Sequence, residues 1–527
     1  MALVVGMQLN VFAGDNIYEQ LTKIKDVLSI AQKDYVDSVD TGTLVENAIT
    51  GMLSHLDPHS VYIPASQLTK INEEFQGNFE GIGVEFDVIN DTILIVSPVP
   101  GGPSMALGIK AGDRIVKIND STAVGIKRDD VPKKLRGPKG THVKVGIFRA
   151  GEKDLIDYDI VRDKIPIFSV DVSFMINETD GYVSINRFAA TTQNEFIAAV
   201  TKLKAAGMKN LIIDLRGNPG GLLDQAYKMA DELLPAGKKV VYTKGRRPEF
   251  NEEYVSSGGG HLTNVPIIVL IDHGSASASE IVSGAVQDWD RGLIVGVTSF
   301  GKGLVQRQFD LPDKSAFRLT IAKYYTPSGR CIQRPYGSDI ESYERAAFEK
   351  KETEGENVTH QEELTGLNVE HPKGDSTHPL FKTAGGRSVY GGGGITPDYI
   401  VKADTLTKYT ANLLRKNLLL DVVTTYMETH KSDLQNQYGS DIQKFVSNYS
   451  VDDELVKKLT DLAAKKDVKM VEDDYKKDLP FIKTYLKAYI ARTLWSTEGW
   501  RRVFTVMDAQ IQKALTLLPE AGKLAGL

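Results

Sequence analysis

Two turns in the chain carry residue types that could perform acyl transfer. The first is GSASAS at 274–279, which follows the apolar run PIIVLID at 266–272. The second is Gly301-Lys302-Gly303, which follows the apolar run GLIVGV at 292–297. Lysine is ordinarily a solvated surface residue. Between two glycines after an apolar run, Lys302 can instead be drawn into a partly buried site. A serine and a neutral lysine suffice for acyl transfer, with the lysine taking the serine proton. Free lysine titrates near about 10.4, and a working base wants roughly 7–8. A shift of about three units costs about 4 kcal/mol, within what burial imposes. Gln306 lies four residues further on, in an extended stretch, so it projects on the same side as Lys302 and its amide oxygen could orient the amine. The oxyanion that forms needs backbone N–H donors. Ala278 N–H, opening a helix after Ser277, is one. Gly220 or Gly221 of GNPGG (217–221) supplies another.

Each of these features has a plainer reading. Ser277 and Glu280 spell a Ser-x-x-Glu capping box for a helix starting at 278. GNPGG is an ordinary turn between a strand and a helix. Other chemistries fare worse. GVTSFGKG at 296–303 nearly spells a phosphate-binding loop. Its last position is Gly303, so the magnesium-binding hydroxyl is absent, and LVQRQF after it reads as a strand rather than a helix. His55 and His59 are four apart, but Pro58 between them breaks the helix that would align them on a metal. No metal site and no cofactor is expected. A Gly-x-Ser-x-Gly elbow is absent from the serine-rich turn, and nothing recommends a histidine-based triad.

The elements that must position these residues follow from the wider pattern. The chain has 527 residues, enough for about three domains. Hydrophobic residues make up 41% and charged residues 25%, and the net charge is -6. Without a basic excess, a nucleic-acid partner is not expected. One cysteine, Cys331, rules out a disulfide framework. The apolar stretch at 2–14 reads as a first strand, a disordered tail or the stub of an export or anchor segment. Residues 1–75 form an N-terminal helical segment, with apolar stripes over 15–36, capped by Asp15, and over 42–54 that must dock on the main body or on a second chain. Residues 76–163 carry short β-branched runs and form a β-rich module. Residues 164–403 alternate buried strands (181–188, 210–216, 266–272, 292–297) with helices (193–206, 222–234, 277–289), as in a parallel or mixed sheet. Within them 336–385 reads as an acidic insertion, mobile or surface-lying, and the sheet resumes at 391–401. Residues 404–527, with four of the 47 glycines and two of the 20 prolines, are a helical domain.

At the candidate residues the sequence resembles the carboxy-terminal processing peptidases, the tail-specific serine proteases of the bacterial envelope and of chloroplasts. The resemblance covers about 15–335 and the strand near 391–401. It rests on LSHLDPHSVY at 53–62, GIGV at 81–84, AGDRIVKIND at 111–120, LRGPKGT at 135–141, DLRGNPGG at 214–221, GSASASEI at 274–281 and FGKGLVQ at 300–306. It implies that the middle serine, Ser277, is the nucleophile, with Lys302 the general base and Gln306 its support. It also implies that 76–163 is a PDZ domain whose carboxylate-binding loop is Gly81, Ile82, Gly83 and Val84. The LIVSPV run (94–99) and this loop suggest a sheet edge onto which a peptide adds, with Arg136 a contact that senses the bound tail. Ser299 stands where the family often has threonine. The expected fold is thus a mixed α/β, crotonase-like serine-protease core with an inserted PDZ domain and helical N- and C-terminal segments. The expected partners are protein or peptide substrates with free C-terminal tails, in the cell envelope or periplasm. An adaptor protein and a homodimer through the terminal helices are compatible with this reading. The rival expectation is a catalytically silent, PDZ-containing peptide-binding scaffold.

Overall fold

The computed structural model describes residues 16–337, 341–343, 345, 378–402, 406–439 and 441–527. Most of the 336–385 insertion lies outside them, as does Asp15, the expected helix cap. The described chain forms two compact units.

The smaller unit holds residues up to Leu68 with 306–320 and 336–337. Asn16 caps the first helix, Ile17–Asp34, by accepting from Tyr18 N. Its apolar stripe stays open: Ile17 is 65% exposed, Leu21 53% and Ile24 47%. The second helix, Thr41–Ser54, starts from Asp40, which accepts from Gly42 N at 3.0 Å. The LDPHS turn that follows is closed by Asp57, whose carboxylate takes His59 N (2.8 Å), Ser60 N (2.9 Å) and the Ser60 hydroxyl (2.6 Å). Val61–Ile63 then pairs antiparallel with residues 316–318, and Thr320 N donates to Ser60 Oγ at 3.1 Å.

In the larger unit the β-rich module is a sheet in the order 84–89, 92–98, 114–118, 142–148, 156–161. The strand His142–Phe148 shows why: Val143, Val145 and Ile147 point into a core shared with Ile93, Ile95, Ile115 and Ile160, while His142, Lys144 and Phe148 face out. Asn78–Gly81 pairs with Asp163–Pro166 and closes the module where the chain enters and leaves. One expectation is corrected here. The LIVSPV run is not the sheet edge; it lies between two strands. The edge is Val84–Ile89, at the end of the strand order.

The second sheet runs 170–175, 180–185, 210–214, 267–271, 293–296, 399–400. Its first pair is antiparallel and the rest parallel, so the sheet is mixed as expected. The near-continuous apolar runs are buried on both faces: all five residues of Ile267–Ile271 have no exposed surface. Helices Thr192–Ala205, Leu223–Asp231 and Ala278–Asp288 cover one face. The other face is covered by the last helix of the chain, Ala509–Leu524, through Ile511, Ala514, Leu517, Leu518 and Ala521. Upstream of it, helices from Lys408 to Thr505 build a separate apolar core around Leu419, Val423, Phe445, Leu459, Ile482 and Leu486. The expected C-terminal helical region therefore divides between a core of its own and the central sheet.

Candidate active site

The serine-rich turn leaves the carboxyl end of Ile267–Ile271. Asp272 opens it, accepting Gly217 N at 2.8 Å and Gly274 N at 2.9 Å. The three serines then part company. Ser275 is fully buried, and its Oγ accepts from Asp272 N (2.9 Å) and donates to Leu215 O (2.8 Å). Ser279 is fully buried and donates to Asn218 O at 3.0 Å. Ser277 alone keeps part of its surface open. Its backbone has φ 54° and ψ -109°, a region that side chains rarely adopt and that persists only where the surroundings enforce it. Ser277 N donates to Glu280 Oε2 at 2.7 Å, and its carbonyl accepts from the buried Tyr324 hydroxyl at 3.1 Å. The Ser277 amide thus enters the cap as read from sequence, while Glu280 N donates to the Ser277 carbonyl.

Ala278 is the first residue of the serine helix, so its N–H points from the positive end of the helix dipole. The GNPGG loop lies directly against it. A Cβ on Gly220, whose φ is +96°, would sit 2.7 Å from Ala276 O, 2.8 Å from Ser277 Cβ and 2.9 Å from Ala278 N. One on Gly221 would meet Phe188 O at 2.1 Å. Only glycine fits at either place. The Gly220 N–H is held by Asn218 Oδ1 at 2.9 Å.

The lysine turn is assembled on one carboxylate. Glu280 is fully buried. Its Oε1 accepts from Ser299 Oγ (2.5 Å) and Gly301 N (2.7 Å), and its Oε2 accepts from Lys302 N (2.9 Å) as well as Ser277 N. Burial pushes this carboxyl up from its ordinary value, against the pull of those donors. Glu280 therefore fixes the backbones of both turns at once. Sequence reading found only its capping role; the available signal was an acidic residue followed by six small or apolar ones, Ile281 to Val286. Glu280→Gln would set an amide NH₂ against N–H donors. We expect it to lower unfolding stability by at least about 2 kcal/mol, read by denaturant titration.

Lys302 is partly buried, and Gly303 N donates to Gln333 Oε1 at 2.8 Å. Leu304–Asp310 follows as a strand, so the helix a phosphate loop requires is not there. Gln306 belongs to the smaller unit, where its Nε2 donates to the His59 carbonyl. That contact gives the LDPHS turn a purpose the sequence did not reveal. Among the described residues no group of His, Cys, Asp and Glu could hold a metal ion, and no helix is long and apolar enough to cross a membrane.

In the β-rich module, Gly81–Val84 leads into the edge strand Val84–Ile89. The Ile82 carbonyl accepts from Ser104 N (3.1 Å) and Ser104 Oγ (2.6 Å), and the Gly83 carbonyl from Val99 N (3.0 Å). Arg136 pairs with Glu73 at 2.6 Å and lies 4.3 Å over the Phe79 ring. Glu73 is on the helix Ala65–Gln76, whose Phe75 carbonyl accepts from Ala190 N of the core at 2.8 Å.

Comparison with known proteins agrees with this architecture. Residues 180–342 match peptidase family S41, 69–148 the PDZ domain, 7–66 the N-terminal domain of the activating protease CtpB, and 409–496 a family of unknown function. The chain is 38% identical over 335 residues to the carboxy-terminal-processing protease of Bartonella bacilliformis, covering 63% of this chain and 76% of that protein. The chain belongs to the carboxy-terminal processing peptidases. The carboxy-terminal processing protease CtpA of Bacillus subtilis is 35% identical over 62% of this chain and 69% of its own length. Among solved structures, the photosystem II D1 C-terminal processing protease aligns with 62% of this chain and 96% of its own, at 26% identity and a TM-score of 0.34. This member of the family is a serine-type peptidase with a PDZ domain.

Proposed function

We propose that the enzyme cleaves proteins at or near their C-terminal tails with a Ser277–Lys302 dyad. Ser277 Oγ attacks the peptide carbonyl. Lys302 takes the serine proton and returns it to the leaving amine, and Gln306 orients Lys302. The oxyanion is held by Ala278 N–H and by an amide of the GNPGG loop. Gly221 suits that role better than Gly220, whose N–H already serves Asn218. The observation that carries this reading is the sorting of the serines: Ser275 and Ser279 are buried and bonded, and Ser277 is partly open in a strained backbone at a helix N-terminus. Labelling with a fluorophosphonate followed by peptide mapping tests it. The label is expected on Ser277; labelling of another serine, or of none while peptides are still cleaved, would refute the assignment.

The PDZ domain is proposed to capture the free tail. A peptide adds to the edge strand Val84–Ile89, and the Gly81–Val84 loop receives its carboxylate. Capture raises the local concentration of the tail at the core, and Arg136, paired with Glu73 on the helix that touches Ala190, reports occupancy. One unfolded substrate with a free C-terminus should be cut several-fold faster than its C-terminal amide. Equal rates would mean the module does not select tails. We place this work in the cell envelope, in the periplasm, and assign the open stripe of Ile17–Asp34 to a homodimer. Sedimentation should show a dimer; a monomer that gains mass only with a second protein would point to an adaptor there.

A further inference from the structure

The loop Asp214–Gly221 is held at its far end by the last helix of the chain. Arg216 is partly buried behind the serine turn. Its Nε and Nη2 bind Asp214 at 2.9 and 2.6 Å, and its Nη1 binds Asp508 Oδ2 at 2.8 Å and Gln510 Oε1 at 2.7 Å. Burial works against the Asp214 charge, but the Arg216 guanidinium and the Tyr182 hydroxyl (2.6 Å) outweigh it and hold that carboxyl below its ordinary value. Asp508 is itself fixed, because it caps the last helix by accepting Gln510 N and Ile511 N at 3.0 and 3.1 Å. Gln510 is fixed by donating to Val401 O at 2.6 Å.

The residues flanking Arg216 are laced to the serine turn. Ser275 Oγ donates to Leu215 O, Gly217 N donates to Asp272, and Ala276 N donates to Asn218 O at 3.0 Å. A shift at Arg216 therefore reaches both the nucleophile turn and the GNPGG amides. We infer that Asp508 and Gln510 are positioning residues for catalysis, acting through Arg216 to hold the oxyanion loop against Ser277. This deepens the serine–lysine reading and rests on it.

The test is a full-length variant with Asp508→Ser and Gln510→Met. Serine keeps the helix cap and methionine the volume, so both acceptors for Arg216 are lost, together with the Gln510 bond to Val401 O, while the apolar face of the helix stays packed on the sheet. The probe is a peptide aldehyde, to which Ser277 Oγ adds as its proton passes to Lys302 and the carbonyl electron pair moves onto oxygen, mimicking the oxyanion. Losing one oxyanion donor outright costs about 10²–10³ in kcat, so a displaced loop is expected to lose about tenfold in kcat and in aldehyde affinity, with KM unchanged. Asp508→Ser alone, which keeps the cap and leaves the Gln510 Oε1 acceptor for Arg216 in place, should recover most of the loss. Glu520→Gln is the control, because Glu520 joins the same helix to Tyr399 at 2.7 Å without touching Arg216. It should lower the melting temperature and leave kcat alone. Wild-type kcat and aldehyde affinity in the Ser/Met variant would overturn the inference. So would an equal fall of kcat in Glu520→Gln, which would mean that helix docking alone matters, or no recovery with Asp508→Ser alone. Failure of the serine–lysine reading looks different: the wild-type enzyme itself would cleave peptides unaffected by the aldehyde, and both proposals would fall.

Discussion

A Ser277→Ala enzyme is expected to lose at least about a thousandfold in kcat while melting within a degree or two of wild type. The Oγ of Ser277 sits on a partly open residue whose backbone anchors the turn through Glu280 and Tyr324. Removing the hydroxyl should therefore leave the fold alone. What survives is the catalysis that the oxyanion donors and substrate binding provide without a nucleophile. Ser275→Ala is the informative contrast. Its Oγ joins Asp272 N to Leu215 O in a fully buried place, so its loss should cost about 1–3 kcal/mol of stability and leave most of the chemistry. Steady-state kinetics on an unfolded substrate with parallel thermal melts separate the two. A dead Ser275→Ala beside an active Ser277→Ala would reverse the assignment.

The second large effect is Lys302→Arg, expected to be as inactive as Ser277→Ala. The lysine backbone is fixed by Glu280, so the replacement starts from the same place and keeps positive charge. What it cannot do is lose a proton at any working pH, whereas a partly buried lysine can. A general base that is always protonated takes nothing from serine. Members of one catalytic unit are non-additive, so the Ser277→Ala, Lys302→Ala double variant should be no slower than either single one. Near-normal turnover by Lys302→Arg would remove the general-base role.

Much of the site is legible in the sequence because its parts are local. Apolar runs ending in turns made of Gly, Ala and Ser mark the carboxyl ends of buried strands, and both turns fell where expected. What escaped involves partners distant in sequence. Periodicity says that Ala509–Leu524 has an apolar face, but not that this face meets Ile268 and Leu270 rather than its helical neighbours. The second oxygen of Glu280 reaches Gly301, 21 residues on, and no local pattern encodes that. The edge of the PDZ sheet was misplaced for the same reason: LIVSPV (94–99) and GVEFDV (83–88) are equally strand-like, and only pairing order separates an edge from an interior strand. The His59 carbonyl that receives Gln306 is a backbone group, which no residue type announces.

The contacts of Arg216 with Asp508 and Gln510 also bear on when the enzyme comes into being. They close a separation of 292 and 294 residues, and their acceptors follow the serine turn, the lysine turn and the PDZ domain in sequence. Synthesis delivers the serine turn, the lysine turn and the PDZ domain long before these acceptors leave the ribosome. A nascent or translocating chain can thus fold most of its core while the oxyanion loop still lacks its tether. On the proposal above, full proteolytic competence waits for residues 508–510, which are made 292 to 294 residues after Arg216.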